Sequence, residues 1–434
     1  MIEMETTPLY QDLLQEIHQI PLVDTHEHLI PEQEHLKRKR DFFSLFLQHY
    51  ASSDLISAGM DANTLEQLRV SDDPTEEKWK RIAPFWKKMQ NTSFACVLKI
   101  AAKDLFDIEE INETTIADLS KQIEIKNISG WYDYVLKERT LIDKIFVRST
   151  LENIELYSEY FLPIVSTDLF LDIRSSPQIT QIEKLSGIEI HSLKNLLDAM
   201  EKFYHEVKQK GAIGIKISQA YKRTLKYEKW TFADAENVFN KILSGSGLIP
   251  NWDHDAGLGW IEGKPLTDFL VHNLVRLAGE IGLVVQIHTG FQEGQGNYIT
   301  NSNPTLLANL CLEYQKTTFD IFHAGFPYHL ELACMAKNFP NVFADMCWLH
   351  AIGVSTGRQT LYTWLDIIPI NKIFAFGGDY HFVEGVYAHA KLARQNVAWV
   401  LAKKIQEEVY TKRQASIFGK KLLKENAECA YKVI

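Results

Sequence analysis

Apolar and polar positions along the chain follow a recurring order: a short β-rich apolar run, then a stretch where apolar residues return at helical spacing. The runs are LVDTHEHL (22–29), LIDKIFVRS (141–149), FLPIVSTDL (161–169), GAIGIKIS (211–218), LVVQIHTG (283–290), FDIFHAG (319–325), VFADMCW (342–348) and IFAFGGDY (373–380). Strand-like runs alternating with helices are the signature of βα units and a parallel sheet. Between Ser192 and Gly211, Leu193, Leu196, Leu197, Met200, Phe203 and Val207 repeat at helical spacing, with Ser192 as the cap and Gly211 as the stop. LTDFLVHNLVRLAGEIG reads as another helix, ending at Gly282 just before the fifth run. Eight runs predict a (β/α)8 TIM-type barrel, a single domain over 1–434, with an open doubly wound sheet as second choice.

Two connections exceed a minimal barrel and distort it. Residues 31–140 are helical in character and too apolar for a linker (SLFLQHYASSDLISAGM, EEKWKRIAPFWKKMQ, FACVLKIAAKDLF), which predicts a helical insertion between strands 1 and 2, over the barrel mouth. NWDHDAGLGWIEGKP (251–265) reads as a lid or substrate loop, or equally as a structural one.

Composition narrows the function. With 434 residues and 46% hydrophobic content the chain can bury a large core, and its net charge of −10 argues against nucleic acid or an anionic membrane as partner. The first twenty residues lack the basic start and apolar core of a signal peptide, and no later stretch is long enough and uncharged enough to span a membrane. Five scattered cysteines without a CxxC pair predict a reduced, cytoplasmic protein. The expected partner is a small-molecule substrate; the aromatic-rich insertion also fits a dimer contact.

The polar residues that close the runs carry the chemistry. Residues i and i+2 of a strand share a face, so His26 and His28 converge, either as a metal clamp or as a pair at a surface strand end. Run four carries Lys216, run five ends with His288, run six with His323 and run eight with Asp379, several beside glycines that let the backbone turn tightly. Catalytic groups of TIM barrels stand at these C-terminal strand ends. Three or more His/Asp ligands with an open position describe a catalytic zinc site, one that manganese or iron would also accept.

H-x-H on the first run, His on the fifth, His on the sixth and Asp on the eighth resemble the amidohydrolase superfamily of metal-dependent barrel enzymes, as does the closing IFGKKLLKENAECAYKV with its "NA". HEHLIPE, the insertion with LQHYASSDLISAGM and MQNTSFACVLKIAAKDLFDI, and QIHTG resemble uronate isomerases, which start H-x-H-L-x-P. Those isomerases carry Asp-x-Arg on the last strand, where this chain has Asp379-Tyr380-His381, and lack the histidine present here as His323. FHAGFPY and FGGDY resemble instead the amidohydrolase-2 group of hydrolases and decarboxylases.

The resemblance implies a metal-dependent hydrolase that directs water at an amide, ester or related bond of a small substrate, with or without a carboxylate. The alternatives are a uronate isomerase-like sugar acid isomerase and a metal-dependent decarboxylase. One or two divalent ions per chain, zinc first, would be held by His26, His28 and His288. Asp379 would complete the shell or carry the proton, and His323 would bind a second metal or donate to the developing oxyanion. Lys216 is then a carboxylated lysine bridging two metals, an unmodified anchor for a substrate carboxylate, or a partly exposed lysine snorkelling from a strand end. Arg148, Trp348, His350, Tyr380 and His381 are the candidate substrate contacts. His35, His49, His191, His205, His272 and His389 read as surface or packing residues, and the incomplete glycine pattern EGQGNY (293–298) gives no phosphate site.

Overall fold

The structure is a computed structural model that describes residues 4–157, 159–245 and 258–433. The first half of the expected lid, 251–257, therefore lies outside the described residues. Eight parallel strands, β1 (Leu22–Glu27), β2 (Ile142–Ser149), β3 (Phe161–Ser166), β4 (Gly214–Ile217), β5 (Val284–Ile287), β6 (Phe319–Ile321), β7 (Val342–Asp345) and β8 (Ile373–Phe374), neighbour one another in chain order. Chain order is the (β/α)8 topology; a doubly wound sheet would permute it. Most strands are shorter than the runs that foretold them. β8 keeps two residues of run eight, Ile373–Phe374, and the residues beyond it form part of the site below.

The flanking helices have the ends the sequence proposes. Helix Leu193–Gln209 starts at Ser192, whose hydroxyl accepts from the Asn195 N–H, and buries Leu193, Leu196, Met200, Phe203 and Val207. Helix Lys264–Ile281 stops at Gly282, which adopts φ 71°, a left-handed conformation that costs glycine nothing. Between β1 and β2, residues 32–139 are helices and turns without a strand. Their core is aromatic: Phe42 packs edge-on against Phe43, Phe46, Trp79 and Trp86 at ring separations of 5.3–6.1 Å.

The chain divides into two compact units: Met1–Val147 with Glu293–Asn297 and Asp345–Ala427, and Arg148–Gln292 with Tyr298–Ala344 and Glu428–Ile434. In unit 1, β1 pairs with β2, and the residues after β8 run beside β1: Thr25 N–H donates to Phe376 O, Asp379 N–H to His26 O, and His28 N–H to Tyr380 O. In unit 2, β3 to β7 form a continuous ladder whose register aligns Ser166, Lys216, Gln286 and Asp320 on one face. The Tyr431 hydroxyl joins two of that polar row, accepting from Gln286 Nε2 at 2.8 Å and donating to Asp320.

Candidate functional site

In unit 1 the end of β1 and the segment after β8 bring His26, His28 and Asp379 together. His26 Nε2 lies 3.3 Å from His28 Nε2, and Asp379 Oδ1 lies 3.0 Å from His28 Nε2 and 3.6 Å from His26 Nε2. Ligands of one metal at about 2.0–2.1 Å in tetrahedral array stand about 3.3–3.4 Å apart. The three observed separations bracket that value, so these donors fit a divalent cation without rearrangement. The alternative of a surface pair does not hold: His26 and Asp379 are buried, and only His28 keeps a fifth of its side chain exposed.

The local backbone is built for this approach. Asp379 sits at φ 63°, left-handed and disfavoured for a non-glycine residue, which marks a position held by its surroundings. Gly377 and Gly378 leave no room for side chains: a β-carbon would stand 2.4 Å from Thr25 Oγ1 at the first and 1.6 Å from Glu27 Oε1 at the second. Beneath the cluster lie two fully buried carboxyls. Asp24 Oδ1 accepts from the backbone N–H of His26 (3.2 Å) and Gly378 (2.9 Å), and Glu27 Oε2 from that of Tyr380 (2.6 Å), so both acids brace the chain that carries the ligands. Burial pushes both upward in pKa, and Glu27 further because the Asp24 charge adds to it.

Unit 2 presents a different arrangement. His288 and His323, at the ends of β5 and β6, meet as a pair with Nε2 of His323 2.9 Å from Nδ1 of His288. His288 Nε2 is 3.2 Å from the Phe291 carbonyl, which can only accept. In the neutral pair His288 therefore carries its proton on Nε2 and accepts from His323 through Nδ1. The two glycine-containing turns interlock here: Thr289 Oγ1 donates to Phe322 O, Phe291 N–H to Phe326 O, and a β-carbon on Gly290 would meet Phe326 O at 2.3 Å. The exposed Tyr221 ring stands 4.6 Å from that of His288. Lys216 is buried, its Nζ 3.3 Å from the centre of the Phe322 ring, so the snorkelling reading is corrected: the ammonium is held over an aromatic face.

The expected substrate contacts divide. His381 is exposed, its ring 5.0 Å from that of His28. Arg148 lines a cavity in unit 2 and donates to Asp168 Oδ2 at 2.7 Å and Ser166 Oγ at 3.2 Å. Trp348, His350 and Tyr380 are corrected to packing positions, because each is 1% exposed or less. The Trp348 and Tyr380 rings meet at a tilt, 4.4 Å apart, and both pack against Phe94 of the insertion. His350 is fixed as a neutral ring by the Ala375 carbonyl at Nε2 and the Asn396 amide at Nδ1, both 3.0 Å away; burial lowers its pKa to about 4. His49, read as a packing residue, stands instead among the site's neighbours, its ring 4.2 Å from Trp348 and 6.2 Å from His381, with Nε2 3.6 Å from Glu293 Oε2. Nothing in its helical context distinguishes it in the sequence.

Comparison with known proteins places these residues in context. The amidohydrolase family model matches residues 255–427, a span that holds His288, His323 and Asp379. The protein fluG of Emericella nidulans is 25% identical over 179 residues, 40% of this chain and 21% of that protein, so the chain matches about a fifth of that relative's length. Among solved structures, uronate isomerase of Thermotoga maritima superposes with a TM-score of 0.81 at 15% identity, covering 99% of both chains. Glucuronate isomerase of Caulobacter crescentus does so at 0.78 and 17% identity over 99% of this chain and 95% of that one. A Lactobacillus casei protein provisionally described as a metal-dependent hydrolase gives 0.65 at 15% identity over 97% of each chain. The resemblance to the amidohydrolase superfamily, read from the strand ends, meets a family-model match over 255–427, and the likeness to the isomerase structures bears out the (β/α)8 fold.

Proposed function

We propose that this protein is a metal-dependent hydrolase of small organic substrates. The observation that carries the reading is the spacing of His26, His28 and Asp379, three donor atoms 3.0–3.6 Å apart. A divalent metal, zinc first, would be held by these three, and by His288 once its ring gives up the Phe291 carbonyl or His323. When bound, the metal supplies Lewis acidity, polarising a carbonyl and making water acidic enough to attack near neutral pH. Asp379 is the proton carrier in this reading, taking a proton from the attacking water and returning it to the leaving group. His381, beside His28 and exposed, is the substrate contact nearest the cluster.

A second reading, sugar acid isomerisation, is favoured by one observation: the likeness to the two isomerases extends over 99% of this chain, its helical insertion included. Both readings are separated by one experiment. Protein purified without chelator is analysed for metal, then offered amide and ester libraries and, separately, glucuronate, with product mass read in ¹⁸O-labelled water. Label in a cleaved product supports the hydrolase; an aldose-to-ketose conversion without label or cleavage replaces it with the isomerase; carbon dioxide release would point to the decarboxylase. Protein that holds no metal, and takes up none that His28→Ala removes, sinks all three.

A further inference from the structure

The connection from β2 to β3 differs from the others. Residues 150–160 contain, among those described, only the short 3₁₀ turn Ile154–Leu156, whereas every other connection between successive strands carries an α-helix. Parallel strands ordinarily need a crossover of a dozen or more residues, usually helical, and that helix covers one face of the sheet. Here no such helix follows β2. Val165 of β3, alternating with Ser166, points to the face opposite Lys216, and beside it a cavity of about 550 Å³ opens within unit 2. That volume lies in the range of small-molecule sites, about 300–1,000 Å³.

The lining of the cavity is part apolar and part charged. Val165, Leu169, Leu185 and Phe203 supply the apolar part. Two ion pairs also line it, Arg148 with Asp168 at 2.7 Å, both about a third exposed, and Lys222 with Asp172; the further carboxylate, Glu152, is exposed to solvent. Arg148 makes both its bonds through Nη2, so Nε and Nη1 of its guanidinium can each donate a single charge-assisted bond to a ligand carboxylate. A ligand of single charge would strand one member of a balanced pair, a cost that grows as water is excluded. A ligand with one charge of each sign exchanges partners one for one.

We propose that this cavity is a binding site for a small zwitterion with an apolar side chain, chemically an α-amino acid. Its carboxylate pairs with Arg148, its ammonium with the carboxylates of Asp168 and Asp172, and its side chain lies on the Val165–Phe203 wall. The site is independent of the metal chemistry proposed above.

The test is calorimetric titration of the full-length, metal-loaded protein with L-leucine and L-phenylalanine, and with leucine's single-charge analogues isopentylamine and 4-methylpentanoate. An amino acid should bind at least about tenfold tighter than either analogue, a ratio equal to about one lost ion pair. Arg148→Met should abolish that binding with the circular dichroism unchanged, and His26→Ala should leave it intact. Leu185→Trp, which fills the apolar part and keeps both ion pairs, serves if Arg148→Met fails to fold, and should also block binding. The proposal is overturned if neither amino acid binds up to about 10 mM, if an analogue binds equally well, or if binding survives Leu185→Trp. Binding lost in His26→Ala but kept in Arg148→Met would place the ligand at the metal centre and overturn it as well.

Discussion

The two histidine-bearing strand ends solve opposite problems. In unit 1, His26, His28 and Asp379 point donor atoms at a common centre, and the backbone behind them is braced by two buried acids and two glycines that admit no side chain. In unit 2, His288 and His323 satisfy each other and a carbonyl. At one end the donors face a common centre; at the other the two rings bond to each other and to a carbonyl. A histidine at a strand end is thus not evidence of a ligand until the fate of both ring nitrogens is known.

The sharpest way to break this contrast is at the carboxylate. Asp379→Asn should lower kcat about 10²–10⁴-fold, the usual worth of a positioned proton carrier, in steady-state assays with the substrate found above; a loss under threefold would leave Asp379 as a ligand only. Metal loading separates the ends next. His28→Ala should reduce bound metal to a small fraction by elemental mass spectrometry, whereas His288→Ala should reduce it less, since His288 must give up the Phe291 carbonyl or His323 to coordinate. Equal losses would erase the distinction.

The backbones should then behave alike. Gly378→Ala and Gly290→Ala each drive a β-carbon into an oxygen that cannot retreat freely, and should destabilise by about 3 kcal/mol or more in urea titrations. A neutral result at Gly378 would mean that Glu27 moves and the bracing is soft.

The smallest effect is on pH dependence. The folded pKa of His350, about 4, lies below the ordinary 6.5, so the unfolded chain binds a proton that the folded chain refuses. Its contribution is therefore full above pH 6.5 and lost as pH falls toward 4, about 3 kcal/mol in all. His350→Asn should remove about one proton from the slope of stability against pH over that window, and an unchanged slope would assign acid sensitivity elsewhere.

Much of this was legible in the sequence because period and punctuation are local. The alternation of runs and helices gave the topology, and Ser192, Gly211 and Gly282 marked real helix boundaries. The same local signals located His26, His28 and Asp379. What escaped was non-local. Asp24 and Glu27 look like ordinary strand polar residues until Gly378 and Tyr380 arrive to be braced. His49 lies in an insertion whose packing no periodicity specifies, and Trp348, His350 and Tyr380 follow strands as substrate contacts would, yet are sealed by aromatic rings and amides. The tautomers of the unit 2 pair depend on a carbonyl three residues beyond His288, which composition cannot reveal.

The bond from Tyr380 to Glu27 spans 353 positions of the chain. During synthesis His26 and His28 therefore leave the ribosome long before the carboxylate that completes their cluster and before the glycines that lock it. Through that interval two imidazoles meet the cell's cations without their acidic partner. The three donors can therefore converge only after the last strand of the barrel has been made.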